Sequence, residues 1–146
     1  MENFASQVTT SVSSNEESTP DKVEVPVDFK KLKKTNKDIY AWIKIPGLDV
    51  VDYPIVQHPK NNAYYLNHSI KKKWSVYGSI FTEDYNQKDF MDFNTLVYGH
   101  NMRNGTMFGS LKKFRDAQFF EYNRYIYVYM EDRILKYEIF AACTWD

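Results

Sequence analysis

The chain has 146 residues, 17% of them aromatic, with 19 basic and 19 acidic side chains and a formal charge of zero. That balance excludes a general electrostatic pull toward nucleic acid or anionic lipid, and a single cysteine, Cys143, excludes an intramolecular disulfide framework. No stretch approaches the roughly 18 apolar residues that span a bilayer, and the N-terminus lacks the basic start and apolar centre of a signal peptide.

Residues 1–25 are rich in Ser, Thr, Glu and Asn and hold too few large apolar groups to offset their ordering entropy, so a flexible leader is expected there. One folded domain is expected over residues 26–146. Asp28 can cap a short helix running to Asn36, with Phe29 and Leu32 on one face and Asn36 as a left-handed stop. From Ile39 the pattern changes to a period of two. Trp42, Ile43 and Ile45 lead into a Pro46-Gly47 turn, and Val50, Val51 and Tyr53 resume before Pro54. Tyr64-Tyr65-Leu66 reads as a short helical turn or a strand end. Val76 to Thr82 and Thr95 to His100 read as brief strands.

Between Gly105 and Asn123 the pattern is helical, with Phe108, Leu111 and Phe114 three residues apart. Arg124 to Met130 and Arg133 to Ala142 alternate around Glu131-Asp132, which predicts a hairpin. Many short strands with one or two inserted helices predict a mainly β barrel or sandwich, rich in the aromatic residues that suit pleated surfaces. A closed barrel needs more strands than these, so the sequence reads as cut short at its C-terminus, with an uncovered edge and marginal stability.

The chemistry-bearing residues are few. His58 and His68 read as surface or satisfied core residues, and one cysteine with scattered carboxylates gives no metal signature. No glycine-rich phosphate loop and no nucleophile elbow is present, so no cofactor is expected. Lys71-Lys72-Lys73 reads as a solvated loop rather than a binding patch. Glu83-Asp84 reads as a turn or cap rather than an acid–base pair, because adjacent side chains diverge. His100 differs from the other two histidines. It closes the strand-like run Asn94–Met102, beside Gly99, which lets a substrate backbone approach, and the position suits a general acid–base role.

The run NTLVYGHNM, with the NGTMF that follows, resembles the catalytic-histidine motif of class B sortases, cysteine transpeptidases of Gram-positive bacteria. AWIKIPGLDVVDYPIVQ, NNAYYLNHSI and GSIFTEDY resemble the family's earlier segments, in the same order, so the resemblance runs from about residue 28 to 140. It implies a sortase-like β-barrel with inserted short helices and an N-terminal helix, present here as a partial domain over 26–146. It also implies an activity at the cell surface, outside the cytoplasmic membrane. There a thiolate opens a sorting-signal peptide of a surface protein as a thioester, and an amine of the cell-wall precursor resolves it. An imidazolium protonates the leaving amine and a guanidinium supports the oxyanion. The resemblance gives the histidine role to His100 and places Asn62 and Leu66 along the signal-binding groove.

The departures from the family pattern are specific. Cys143 lies in Ala-Ala-Cys-Thr-Trp, outside the family's cysteine motif and too soon after His100, and reads as a buried structural thiol. Arg103, Arg115, Arg124 and Arg133 do not match the catalytic arginine. The chain is therefore expected to be inactive alone. The alternatives are a non-catalytic sorting-signal-binding module, or a hydrolase pairing Cys143 with His100.

Overall fold

The computed structural model describes residues 23–144. All but the last three residues of the expected leader, together with Trp145 and Asp146, lie outside the described residues.

Helix α1 spans Phe29–Thr35, and the Asp28 carboxylate caps it by accepting the Lys31 N–H at 3.0 Å. Phe29 is buried, as its place on the inner face requires. Asn36 is not the left-handed stop the sequence suggested; its backbone is extended, with φ −154° and ψ 118°. Its side chain explains the difference. The buried amide donates to the Tyr65 hydroxyl at 2.8 Å and to the Ile70 carbonyl at 2.9 Å, and its oxygen accepts the Asp38 N–H at 2.9 Å. Two of these bonds tie the helix end to the segment beyond residue 63, and the three together outweigh a turn preference.

Strands β1 (Ile39–Ile45) and β2 (Leu48–Val56) form the expected antiparallel hairpin. Gly47 takes a φ of +89° in the connection, a conformation that side chains resist. Alternation fails at the start of β1 because both faces of the sheet are covered there. Ile39 packs with Val56, Tyr65 and Phe81 on one side, whereas its neighbour Tyr40 joins the larger cluster that contains Phe108, Leu111, Ile126 and Val128. Pro54 is tolerated inside β2 because the next strand pairs only with Ile55 and Val56.

That strand, β3 (Ile80–Thr82), runs parallel to β2, and β4 (Val97–Tyr98) pairs antiparallel to it. Both are shorter than the apolar runs suggested, because neighbouring backbone groups bond elsewhere. Ser79 N–H goes to the Tyr65 carbonyl and Leu96 N–H to the Asn86 side chain. Two buried carboxamides organise the excursion between β3 and β4. Gln57 donates to the carbonyls of Glu83 at 2.6 Å and Asn86 at 2.8 Å. Asn86 in turn donates to the Asn94 carbonyl at 2.7 Å and to Asp92 at 2.9 Å, and accepts from Leu96 at 3.1 Å.

The segment Gly109–Arg115 is a 3₁₀ helix, followed by α2 (Ala117–Tyr122). Phe108, Leu111 and Phe114 fall three apart because a 3₁₀ turn eclipses residues i and i+3, and all three are buried. Strands β5 (Tyr125–Tyr129) and β6 (Ile134–Glu138) complete the predicted hairpin around Glu131-Asp132. The six strands form one sheet in the order β4-β3-β2-β1-β5-β6. It curls into a half-barrel: Val97 from one end and Tyr137 from the other line the same concave apolar pocket, with Ile43, Ile45 and Val128 between them. Among the described residues, β4 and β6 have no partner on their outer edges.

Two consequences follow from the carboxamide hub. Asn86→Ala leaves the Asn94 carbonyl and Leu96 N–H without their partner, and each such orphaned group costs about 1–3 kcal/mol; a fall in the urea midpoint at unchanged slope checks this. Asp92, held below the ordinary carboxyl value of 3.8 by hydrogen bonds first from Asn86 and then from the Gln87 N–H, stabilises the fold fully above that value. The stabilisation fades as the pH falls through the lowered value, where the folded carboxylate takes up its proton. Urea midpoints followed into acid should therefore decline less steeply in Asp92→Asn.

Candidate functional site

A cleft of about 270 Å³ opens on the β3–β4 side of the sheet, lined by Asn62, Ala63, Leu66, Phe81, Glu83, Tyr98, Gly99 and His100. All three residues singled out from the sequence, His100, Asn62 and Leu66, border it. They arrive from two separate segments. Asn62 precedes the 3₁₀ turn Tyr64–Leu66 and Leu66 ends it, whereas Tyr98 ends β4 and Gly99 and His100 follow.

The turn is fixed from below by aromatic packing. Tyr65 is fully buried; its hydroxyl accepts from Asn36 and donates to Asp38 at 2.6 Å. Its neighbour Tyr64 stacks on His68 with centroids 4.0 Å apart, and His58 lies 4.5 Å from it on a tilted plane. His58 Nδ1 accepts the N–H groups of Lys60 (3.2 Å) and Asn61 (2.9 Å), while His68 Nδ1 bonds the Tyr64 carbonyl at 2.8 Å. These histidines are satisfied structural residues of the turn, and neither lines the cleft. Gly78 brings the following loop back against the same turn. Its φ is +58°, and a Cβ there would stand 2.5–2.6 Å from the carbonyl oxygens of Leu66 and Tyr65. Only glycine fits.

His100 Nε2 lies against the Leu66 carbonyl. A carbonyl only accepts, so this contact places the proton on Nε2 and leaves Nδ1 as the nitrogen free to meet a ligand. Gly99 has a different reason from the one the sequence suggested. A Cβ at this position would come within 2.5–2.8 Å of the Ile80 and Phe108 side chains, so the glycine is required by packing beneath the strand end.

The polar wall of the cleft contains a residue that sequence reasoning set aside. Glu83 is no simple turn residue. One of its carboxylate oxygens accepts from Asn62 Nδ2 and the other from the Tyr98 hydroxyl. The Asn62 amide oxygen meanwhile accepts the Asp84 N–H at 3.0 Å. Tyr98 itself packs its ring against Phe81 with centroids 5.3 Å apart. Burial and then the Glu83 carboxylate push its phenol well above the ordinary range, so it remains a protonated donor. The order Glu-Asp after a strand carried no signal for this, because the partners lie 15 and 21 residues away in sequence.

Cys143 is exposed rather than buried, which corrects the sequence expectation. It follows the end of β6 and is not part of the cleft lining. No arginine lines the cleft either. Arg115 bonds the Thr144 hydroxyl, Arg124 faces Glu138, and Arg133 donates to the Asp89 carbonyl. No helix among the described residues is long and apolar enough to cross a membrane.

A family model described as "Sortase domain" matches residues 43–145. Sortase B of Listeria monocytogenes is 44% identical over 96 residues, an overlap covering 66% of this chain and 38% of that protein. The solved sortase B of Bacillus anthracis superposes with a TM-score of 0.73 at 39% identity, covering 77% of this chain and 53% of the other. A Staphylococcus aureus sortase B–substrate complex gives 0.66 at 33% identity, covering 74% and 49%. The chain thus spans 38% and 39% of the lengths of the two curated relatives it matches, both named Sortase B.

The position of Cys143 generates a test that separates an exposed thiol from a site thiol. Iodoacetamide should label Cys143 readily at neutral pH in the folded chain, at a rate unchanged in His100→Ala. A clear slowing in that variant would place the sulfur under the influence of the imidazole.

Proposed function

Because this chain belongs to the sortase family, with class B enzymes as its relatives, we propose that its cleft receives a sorting-signal peptide and that His100 is the proton-handling group of a cysteine transpeptidase site. The observation that carries this reading is the meeting of His100, Asn62 and Leu66 on one cleft. The first and the other two come from segments 34 or more residues apart in sequence, so their convergence is a product of the fold.

The reaction assigned to the whole enzyme breaks a peptide C–N bond at the end of the signal and forms a thioester. A cell-wall precursor amine then attacks that thioester, forms a new amide and releases the thiolate. In this scheme the imidazolium of His100, anchored through Nε2 to Leu66, presents Nδ1–H to the departing amine, whose nitrogen takes the proton. Leu66 and Phe81 supply apolar contact for the signal, and Asn62 supplies an amide for its backbone or side chains. The sulfur and guanidinium do not come from Cys143 or from Arg103, Arg115, Arg124 or Arg133, none of which borders the cleft. These 146 residues alone therefore bind the signal without cleaving it. The site works at the outer surface of the cell, where sortases act, with surface proteins and cell-wall precursors as its partners. Residues 26–146 constitute the partial sortase domain and 1–25 a leader to it.

A quenched fluorescent sorting-signal peptide distinguishes the readings. Its anisotropy should rise with added chain, the rise should weaken in Leu66→Ala by about tenfold in Kd, as loss of a well-packed anchor does, and no fluorescence should be released over hours. Release that disappears in both His100→Ala and Cys143→Ala would establish a hydrolase and overturn this assignment.

A further inference from the structure

The segment that leaves the Tyr64–Leu66 turn and returns at Gly78 is built from two successive tight turns. In the first, the Ser69 N–H bonds the Lys73 carbonyl at 2.8 Å and the Lys72 N–H bonds the Ser69 carbonyl at 2.8 Å. In the second, the Gly78 N–H closes on the Ser75 carbonyl at 3.1 Å. Between them His68 and Trp74 form an isolated bridge, and the Ser75 N–H bonds the Asn67 carbonyl at 2.9 Å. The loop is therefore shaped before any partner arrives, and it is tied to the turn that borders the cleft.

The side chains on these two turns serve no need of the fold. The first turn carries Lys71, Lys72 and Lys73, all exposed. Lys72 has an Asp38 oxygen at 3.8 Å, and no ion pair among the described residues takes Lys71 or Lys73. Trp74 follows with 69% of its surface open to solvent, and Val76 and Tyr77, the central residues of the second turn, are 55% and 42% exposed. Turns favour Gly, Asn, Asp and Ser for backbone reasons, and none of those reasons calls for valine or tyrosine. Neither buried cluster includes Trp74, Val76 or Tyr77. Exposed apolar groups gathered in this way, beside cations, mark a contact surface.

We propose that the loop over residues 71–77 is a docking surface for an anionic lipid bilayer, with the lysines among the headgroups and Trp74, Val76 and Tyr77 at the acyl boundary. The mixture of side chains selects this occupant. A soluble polyanion neutralises the lysines but offers Val76 nothing apolar to enter. A neutral apolar partner covers Val76 but leaves the ammonium groups desolvated without a counter-charge. An anionic bilayer supplies charge at its surface and hydrocarbon beneath it, and Trp and Tyr are the side chains that settle at that boundary. The chain's formal charge of zero removes any general attraction, so the contact is local to this loop. The Ser79 N–H also bonds the Tyr65 carbonyl at 2.9 Å, so loop and cleft turn are held as one body. Docking thereby fixes how far the cleft stands from the lipid surface, whatever the cleft itself binds.

The test sediments the full chain with vesicles of pure phosphatidylcholine and with vesicles of equal parts phosphatidylcholine and phosphatidylglycerol. Partition onto the anionic vesicles should exceed that onto the neutral ones by at least about tenfold, with about fivefold from each lysine. Lys71→Gln combined with Lys73→Gln should therefore weaken binding by about twentyfold, and Val76→Ser by about fivefold. Both variants change exposed side chains, and a thermal midpoint equal to the parent's shows that they are folded. Lipids brominated in the upper acyl chain should quench the tryptophan emission of the parent. Trp74→Phe should abolish that quenching, which separates Trp74 from Trp42 and Trp145. Equal partition onto both vesicle types, or onto neither, overturns the proposal on the parent chain alone. Undiminished binding by a folded lysine variant, or quenching that persists in Trp74→Phe, assigns the contact to another part of the chain and overturns the role of this loop. Soluble polyphosphate binding through Lys71 and Lys73 as tightly as the anionic vesicles, with Val76→Ser without effect, overturns the bilayer as the occupant.

Discussion

The cleft exists because two buried carboxamides close a loop. β3 runs parallel to β2 and leaves the sheet at Thr82, so the chain must turn back before it can present anything beside Asn62. Gln57 reaches from the end of β2 to the carbonyls of Glu83 and Asn86, and Asn86 reaches across to Asn94 and Leu96. Each is nearly inaccessible to water, at 6% and 4% exposure, so each unmade bond would be an orphaned polar group rather than a neutral loss. The register of β4 against β3, with Tyr98 opposite Phe81, follows from this closure. Tyr98 then meets Glu83, and His100 meets Leu66.

The second support is the turn Tyr64–Leu66, and its rigidity comes from the small apolar cluster beneath it. Tyr65 fills the small cluster with Ile39, Val56 and Phe81, and Asn36 holds its hydroxyl from the end of α1. A short N-terminal helix thereby contributes to a cleft it does not touch. The chain of contact runs from helix end to buried phenol to turn backbone, and the Leu66 carbonyl at its end orients the His100 ring. Catalytic groups positioned through such packed supports lose precision when the support is cut, even at a distance.

The hairpins, the order of elements and the place of His100 just past a strand were legible from local pattern. Pro46-Gly47 and Glu131-Asp132 lie between runs of period two, and His100 ends an apolar run beside a glycine. What could not be read were contacts made by residues whose partners are remote. Asn36 resembled a helix stop because asparagine favours that conformation, yet its bonds to Tyr65 and Ile70 decide its backbone. Glu83 resembled a turn residue because only its neighbour in sequence was visible. Cys143 resembled a core thiol because Ala141 and Ala142 precede it, but an apolar neighbourhood in sequence is no measure of burial; the segment after Ile139 leaves the core. The three-residue spacing of Phe108, Leu111 and Phe114 predicted a helix and in fact fits a 3₁₀ turn better, a distinction the spacing itself contained.

The distribution of the cleft along the chain bears on how the family site is assembled. Every residue that lines it falls between Asn62 and His100, while β5 and β6 contribute only to the concave apolar side through residues such as Ile126, Val128 and Tyr137. The residues proposed for recognition and proton handling therefore lie on a continuous stretch of fewer than 40 residues, supported by α1, β1 and β2. Cys143 sits past β6, and Arg115, Arg124 and Arg133 are engaged away from the cleft. A wall complete within one stretch of chain needs no residue of β5 or β6 to take its shape.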